Sequence, residues 1–160
     1  MKKYIKNLEE MKKFAIEIAT KINQSPALVN ATVIGLYGDL GSGKTTFTKS
    51  FISAFGVKNT VTSPTFVIEK IYKIPNLKQN KKVGSATPNF LGFKHIIHID
   101  AYRLQSGEEM KDLGWDKISK DPQNIILIEW PEKISDILPK KIKKIEFKFI
   151  DENRRKVSFE

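Results

Sequence analysis

Hydrophobic and polar positions follow two different periods along this chain, and together they predict a mixed α/β fold. Apolar residues recur every three or four positions across 8–22, which predicts an amphipathic helix. Asn7 and Glu10 have the spacing of an N-cap and capping-box pair at its start. The next segment, 31–37, is almost wholly apolar, as is typical of a strand buried on both faces of a parallel sheet.

Two further helices are predicted from periodicity and capping signals. Residues 44–55 form the longer one, and its inward-facing side chains are expected to be Phe47, Phe51, Ala54 and Phe55. Ser106 and Glu109 suggest a second capping box, which would open a short helix that ends at Gly114.

The remaining apolar runs predict strands. Residues 66–72 and 96–100 would form an antiparallel pair, and 125–128 has the continuous apolar pattern of a second buried parallel strand. Residues 142–150 and 156–159 alternate around a polar turn, which predicts a terminal hairpin.

One connection in this arrangement is unusually long. Residues 74–94 contain two prolines, two glycines, four lysines and no acidic residue. We interpret them as a long, basic, exposed hairpin connection. The whole chain of 160 residues has the size of one domain, so we expect residues 1–160 to form a single unit.

Composition narrows the function classes. The sequence has no cysteine, which excludes disulfides and thiolate chemistry, and no apolar run long enough to cross a bilayer. A cytoplasmic protein without membrane association is therefore expected. The net charge of +10 would suit nucleic acid, but 25 of the 28 basic residues are Lys, which is equally typical of A/T-rich codon bias. The charge alone does not assign a function, and DNA binding is not expected.

A glycine-rich turn of the form G-x-x-x-x-G-K-T follows the first apolar strand. Its glycines permit backbone angles that let successive amides point into one concavity, where the positive end of the next helix favours phosphate. The lysine is expected to reach the β- and γ-phosphates of a nucleotide, and the threonine hydroxyl to coordinate Mg²⁺. The nucleotide-binding residues predicted on this basis are Gly38, Asp39, Leu40, Gly41, Ser42, Gly43, Lys44 and Thr45.

A magnesium site beside such a loop also needs a carboxylate at the end of a neighbouring buried strand. Glu129 and Asp100 each follow an apolar run, so the sequence offers two candidates. We expect Glu129 on the metal side, and Asp100 either orienting the attacking water or backing up the metal site. Thr65 lies in the loop that follows the predicted helix 44–55, and its hydroxyl could close on the metal and the γ-phosphate. His98 lies inside an apolar strand and is expected to be structural.

Four sequence blocks resemble, in order and spacing, the bacterial TsaE (YjeE) family of ATPases. They are GDLGSGKTT at 38–46, SPTF at 63–66, HIDAYRL at 98–104 and IEWP at 128–131. The resemblance extends over about residues 5–155 and implies a three-layer P-loop NTPase-like domain, with a mixed, partly parallel central sheet and antiparallel hairpins. The connection at 74–94 departs from it, being longer and more basic than the family's usual hairpin.

The resemblance implies slow ATP hydrolysis in the biosynthesis of threonylcarbamoyladenosine at position 37 of tRNA. The partner would be the TsaB–TsaD heterodimer, which ATP turnover resets between catalytic cycles, and tRNA contact would be indirect. The implied metal positions are Thr45 and Glu129. The resemblance places Asp100 and Trp130 at further positions needed for activity. With Lys44, Glu129 and Thr65, which the loop and strand chemistry above predicts, these are the expected catalytic residues. Thr46 joins the nucleotide-binding residues, and Arg155 matches an arginine near the base.

Three other functions remain open from the sequence. A small-molecule P-loop kinase would normally add lid arginines, but the chain has three arginines in all. A guanine-nucleotide switch would need an Asn-Lys-x-Asp signature, and Asn80-Lys81-Lys82-Val83 lacks the aspartate. A non-hydrolysing adaptor would bind nucleotide to set its shape.

Overall fold

The computed structural model describes residues 1–25, 29–58, 64, 67–75, 92–152 and 154–160. Within these residues, seven strands form one mixed sheet in the order β1-β7-β6-β2-β5-β4-β3. The strands are β1 (Lys2–Ile5), β2 (Thr32–Tyr37), β3 (Glu69–Lys73), β4 (His95–Asp100), β5 (Asn124–Glu129), β6 (Lys143–Asp151) and β7 (Arg154–Phe159). The four central strands β6, β2, β5 and β4 run parallel, and antiparallel strands flank them on both sides.

Helices cover both faces of the sheet and complete three layers. They are α1 (Leu8–Asn23), α2 (Lys44–Ala54), α3 (Glu108–Asp112) and α4 (Trp115–Ser119). Short 3-10 turns follow β4 at Ala101–Arg103 and β5 at Pro131–Ile134.

The long helices α1 and α2 pack together on one face of the sheet. Their side chains share a core with alternate residues of β2, β4, β5 and β6, including Leu36, Ile96, Leu127 and Phe147. Four phenylalanines run through this layer in successive ring contacts: Phe14, Phe47, Phe51 and Phe55. On the other face, the intervening strand residues meet Met110, Trp115 and Ile134. Burial on both faces explains why β2 and β5 are continuous apolar runs.

Most of the predicted elements are confirmed. Asn7 caps α1 by accepting a hydrogen bond from the Glu10 amide at 2.9 Å. All four side chains predicted to face inward from α2 are buried. The antiparallel pairing of β3 with β4 is present and continues into a backbone bond from Ile74 to Lys94. Residues 76–91, most of the predicted basic connection, lie outside the described residues.

Three features depart from the predictions. Residues 2–5, for which no element was predicted, form β1, which pairs with β7. Ser106 does not cap α3. The N-cap is Gly107, and the Glu109 carboxylate accepts from the Gln105 amide instead. Helix α4, which begins directly after Gly114, was not predicted.

The strand predicted at 66–72 begins three residues later. Ile68 has a φ of +65°, which a β-branched residue rarely adopts, and this backbone turn precedes β3. No helix among the described residues has the length and apolar character that a membrane crossing requires.

Candidate phosphate and metal site

The glycine-rich turn leaves the carboxyl end of β2 and passes directly into α2. Gly38 has a φ of +137°, and a Cβ atom there would lie 2.3 Å from the carbonyl oxygen of Phe147. Side chains are therefore excluded at this position by β6, which runs beside the turn. Gly43, with a φ of +108°, forms the junction with α2. The turn thus brings Lys44, Thr45 and the first amides of α2 to the edge where the parallel strands end, and amides of a first helical turn have no partner inside the helix.

Lys44 is buried although it carries an ammonium group. Its side chain curls back over the turn, and Nζ donates to the carbonyl oxygens of Gly38 at 2.5 Å and Asp39 at 2.9 Å. Nζ also lies 3.9 Å from the centroid of the Trp130 ring. Burial lowers the pKa of Lys44, although nearby carboxylates, above all Glu129, favour the charged form. Such a buried cation gains most from an anion that reaches it.

Glu129 lies at the centre of a chain of hydrogen bonds. It is the last residue of β5, and its carboxylate is almost completely buried. Oε2 accepts a hydrogen bond from the Thr45 hydroxyl at 2.9 Å, and Oε1 lies 2.8 Å from Nε2 of His98. One carboxylate therefore links the first turn of α2 to the neighbouring strand β4.

Asp100 lies beside Glu129 in the parallel register of β4 and β5. Its side chain is buried, and Oδ1 accepts from the amide of Tyr102 at 3.1 Å, which caps the 3-10 turn after β4. Both acids point to the α1/α2 face, since alternate residues below them belong to that core. The structure therefore brings the two predicted acids together without separating their roles.

Trp130 adopts a left-handed backbone conformation, with φ +60° and ψ +48°. This conformation is costly for a bulky residue and is found where the surroundings enforce it. The ring contacts the Lys44 ammonium and also lies 5.3 Å, centroid to centroid, from the ring of Tyr102. Trp130 thus covers the lysine at the edge of the sheet.

The residues at this edge suit a magnesium-bound polyphosphate. Ser42 Oγ is buried and has no hydrogen-bond partner among the described residues, as expected of a group that awaits a ligand. The Thr45 hydroxyl and the Glu129 carboxylate supply hard oxygen ligands of the kind Mg²⁺ prefers. Across the described ranges, no three His, Cys, Asp or Glu side chains could hold a metal ion by themselves. An ion here would take its remaining ligands from phosphate and water, which is usual for Mg²⁺.

The other predicted site residues are distributed differently. Thr65 lies outside the described residues, as do Ser63 and Phe66. Asp39, Leu40, Gly41 and Thr46 are exposed on the turn and the start of α2. Arg155 lies in the β6–β7 hairpin, where Nη1 donates to the Glu152 carbonyl at 2.8 Å and the guanidinium carbon lies 5.4 Å from the Phe149 ring.

His98 is the residue of this cluster that sequence reasoning missed. It was expected to be structural because it lies within an apolar strand, yet it contacts Glu129 directly. Its spacing from Asp100 was an available signal, because residues two apart on a strand face the same side of the sheet.

A central parallel sheet covered by helices on both faces, with a glycine-rich turn between β2 and α2, defines a three-layer P-loop NTPase-like α/β protein. A crystal structure of Bacillus subtilis YdiB has the same fold, with a TM-score of 0.67 and 29% sequence identity, over 99% of this chain and 83% of that one.

Sequence comparison identifies the family within this class. The family model described as "Threonylcarbamoyl adenosine biosynthesis protein TsaE" matches residues 5–157. The TsaE protein of Rickettsia typhi is 39% identical over 77% of this chain and 73% of its own length. The TsaE protein of Bacillus subtilis is 35% identical over 79% of this chain and 68% of its own. The chain therefore belongs to the TsaE family, which is involved in the biosynthesis of threonylcarbamoyladenosine in tRNA.

Proposed function

We propose that this chain binds ATP with Mg²⁺ and hydrolyses it slowly to ADP and phosphate, and that this ATPase activity supports tRNA threonylcarbamoyladenosine biosynthesis. The observation that carries the proposal is the Thr45–Glu129 pair beside the buried ammonium of Lys44. Hydroxyl, carboxylate and lysine are the three side chains that a triphosphate and its metal require at such a loop. The active unit is the single domain of residues 1–160.

Lys44 would exchange its contacts when nucleotide binds. Its hydrogen bonds to Gly38 and Asp39 hold the ammonium in place without neutralising its charge. Phosphate oxygens offer the same donors a charged acceptor, and charge-assisted hydrogen bonds are about twice as strong as neutral ones. We therefore expect Lys44 to turn from the carbonyl groups to the β- and γ-phosphates.

Thr45 and Glu129 would hold the metal side of the site. Magnesium supplies neutralisation of the charge that builds up on the phosphate oxygens. The Thr45 hydroxyl offers one oxygen ligand, and Glu129 offers a carboxylate oxygen directly or through a water molecule. Asp100, in register beside Glu129, is suited to orient the attacking water or to support the metal ligands. Trp130 would cover the lysine and limit the access of solvent.

Hydrolysis by the isolated protein should be slow. In the β6–β7 hairpin, Arg154 is paired with Asp151 and Arg155 donates to the Glu152 carbonyl, so both side chains have partners within the hairpin. An arginine that stabilises the transition state is often supplied by a partner. Family membership supports the TsaB–TsaD heterodimer as that partner, with ATP turnover enabling its repeated cycles and tRNA held by the complex. The site of action would then be the cytoplasm, and DNA is not a ligand.

The decisive measurement is ATP hydrolysis by the full chain, alone, with the TsaB–TsaD heterodimer, and with the heterodimer and tRNA. We expect slow turnover that the heterodimer accelerates and that requires Mg²⁺. A rate unchanged by saturating heterodimer would refute the partner, and nucleotide binding without any hydrolysis would favour the adaptor. Preference for GTP in competition would overturn the ATP assignment, and transfer of phosphate to a small acceptor rather than water would indicate a kinase.

Lys44→Ala provides the matched test of nucleotide binding. Without the ammonium, the charge of the β- and γ-phosphates is not neutralised, so we expect at least a ~100-fold loss of ATP affinity, equal to about 2.7 kcal/mol. Lys49→Ala, an exposed lysine on the same helix, should leave the affinity unchanged. Titration of both variants with a fluorescent ATP analogue makes the comparison, and equal affinities would remove Lys44 from the phosphate site.

A further inference from the structure

We propose that His98 is a positioning residue that fixes the orientation of the Glu129 carboxylate at the magnesium side of the site. The inference rests on the proposed function. His98 is fully buried, and its Nε2 lies 2.8 Å from Oε1 of Glu129. The other carboxylate oxygen, Oε2, accepts from Thr45. Oε1 of Glu129 is thus held by β4, and Oε2 by the first turn of α2.

The chemistry of the pair determines which group donates. An ionised carboxylate can only accept hydrogen bonds, so Nε2 of His98 must carry the proton. In the neutral ring, Nδ1 is then an acceptor, and it is buried with no hydrogen-bond partner among the described residues. Within the described part of the chain, the one hydrogen bond of the imidazole is therefore that from Nε2 to Glu129.

The sheet register explains why a histidine reaches this position. In the parallel pairing of β4 with β5, Asp100 lies opposite Glu129, and His98 lies opposite Leu127. His98 therefore lies two residues before Asp100, further from the carboxyl end of β4, and on the same face of the sheet. From there its ring contacts the Glu129 carboxylate from the core side. An aliphatic side chain would fill this position without an unpaired nitrogen, whose burial costs about 1–3 kcal/mol.

This contact matters because a glutamate side chain has several rotatable bonds. With Oε1 held by His98, rotation of the carboxylate is restricted, and Oε2 stays directed at Thr45 and the adjoining metal position. Ligands that are oriented in this way bind metal more tightly, and removing the orienting partner typically costs about 10–100-fold in metal affinity or activity.

Two variants of His98 separate positioning from packing. In His98→Gln the amide nitrogen lies at about the reach of Nε2, and in His98→Asn it lies at that of Nδ1, too short for Glu129. Both replacements are polar and smaller than histidine, so a purely structural role would be affected similarly by the two. The readout is the ratio of ADP affinities measured with Mg²⁺ and with EDTA, which reports metal coupling without requiring hydrolysis.

We expect His98→Gln to keep the ratio of ADP affinities within ~3-fold of the wild type and His98→Asn to reduce it by at least ~10-fold. The ADP affinity measured in EDTA should change little in either variant. His95→Gln is the matched control, because His95 lies at the opposite end of the same strand beside Asn124, and its ratio should equal that of the wild type. In a Glu129→Gln background, His98→Asn should have little further effect.

The outcomes distinguish this inference from the proposed function. The positioning role would be overturned if His98→Gln and His98→Asn had equal ratios of ADP affinity with Mg²⁺ and with EDTA. It would also be overturned if His98→Asn lowered this ratio as strongly in the Glu129→Gln background as in the wild type. Either result would leave the magnesium site intact. A wild-type protein whose ADP affinity does not respond to Mg²⁺ would instead overturn the magnesium site itself.

Discussion

At the residue scale, the site combines one buried cation with buried acids whose geometry is already organised. Lys44, Glu129 and Asp100 are each at most 5% exposed, although charged side chains are rarely buried to this degree. Their burial destabilises the nucleotide-free protein unless each charge is paired or hydrogen-bonded. Each of the three charged groups is hydrogen-bonded within the protein, so the site is organised before a charged ligand reaches it.

The lowered pKa of Lys44 predicts a pH dependence of nucleotide binding. Phosphate binds the ammonium form and would raise the pKa, so binding takes up a proton at a pH between the two values. Affinity should therefore fall as pH rises through the lowered pKa, below the value of 10.5 typical of lysine. In the nucleotide-free protein, the free energy of unfolding changes with pH in the opposite direction. It rises as the pH increases from the lowered pKa of Lys44 to 10.5, because Lys44 holds its proton more tightly in the unfolded chain than in the folded protein.

Calorimetric titration of ADP in two alkaline buffers with different ionisation enthalpies measures this proton uptake directly. Lys49→Ala should reproduce the wild-type profile, because its side chain is exposed on the outer face of α2. Affinity that stays constant up to pH 10.5 would contradict the expectation.

Glu129→Ala should separate binding from hydrolysis. Lys44 and the loop amides remain, so the variant should still bind nucleotide, but misplacement of the metal should lower the hydrolysis rate by ~100-fold. Glu108→Ala, which removes an exposed acid from α3, is the control and should hydrolyse ATP at the wild-type rate. Steady-state phosphate release measures both, and wild-type turnover in Glu129→Ala would refute the role of this carboxylate.

At the element scale, the glycine-rich turn depends on a neighbour that is distant in sequence. Gly38 lies against the backbone of β6, whereas a Cβ atom on Gly41 would meet nothing within 4 Å. Both glycines have positive φ, but steric exclusion applies to Gly38 alone of the two. The shape of the turn is therefore set by β6 as well as by its own residues.

The two glycines predict a matched pair of substitutions. Gly38→Ala should cost at least ~2 kcal/mol in the free energy of unfolding and should abolish nucleotide binding, because strain and the clash with Phe147 add together. Gly41→Ala, with φ +74°, should cost about 1 kcal/mol. Urea denaturation and ADP titration test both variants, and equal losses of stability would show that Phe147 does not constrain the turn.

Much of this organisation was predictable from local sequence. The apolar runs predicted β2 and β5, the three-to-four-residue period predicted α1 and α2, and the loop motif predicted that a helix begins at Lys44. The features that were predicted wrongly or missed depend on contacts between residues that are distant in sequence. Gly107 replaces Ser106 as the cap of α3, since its amide donates to Asp136 and a Cβ atom would clash with Ile137. The bond between His98 and Glu129 depends on strand register, which no local pattern encodes.

At the scale of the whole molecule, the sheet joins an early strand to a late one. β1 lies at one edge of the sheet and pairs with β7 through residues 2–5. It was missed in the sequence because it is four residues long and three of them are exposed. Ile5, the buried residue of the strand, inserts into the same core as α1 and α2.

Adjacent residues of β1 test its contribution to stability. Ile5 is 4% exposed and Tyr4 is 60% exposed. Ile5→Ala should therefore lower the free energy of unfolding by about 2–4 kcal/mol, whereas Tyr4→Ala should change it by less than about 1 kcal/mol. Chemical denaturation measures both values, with intact ADP affinity as evidence that the folded site is preserved. Similar effects of the two substitutions would show that β1 is not a part of the core.

The order in which these strands are synthesised has a consequence for the nascent chain. The lysine and threonine that would hold the nucleotide leave the ribosome early, but Phe147, which confines Gly38, and β7, which receives β1, follow about 100 residues later. A translation intermediate arrested before β6 would carry the whole loop sequence without its supporting wall. Competence to retain nucleotide should consequently arise abruptly once β6 has emerged, rather than when the motif itself emerges.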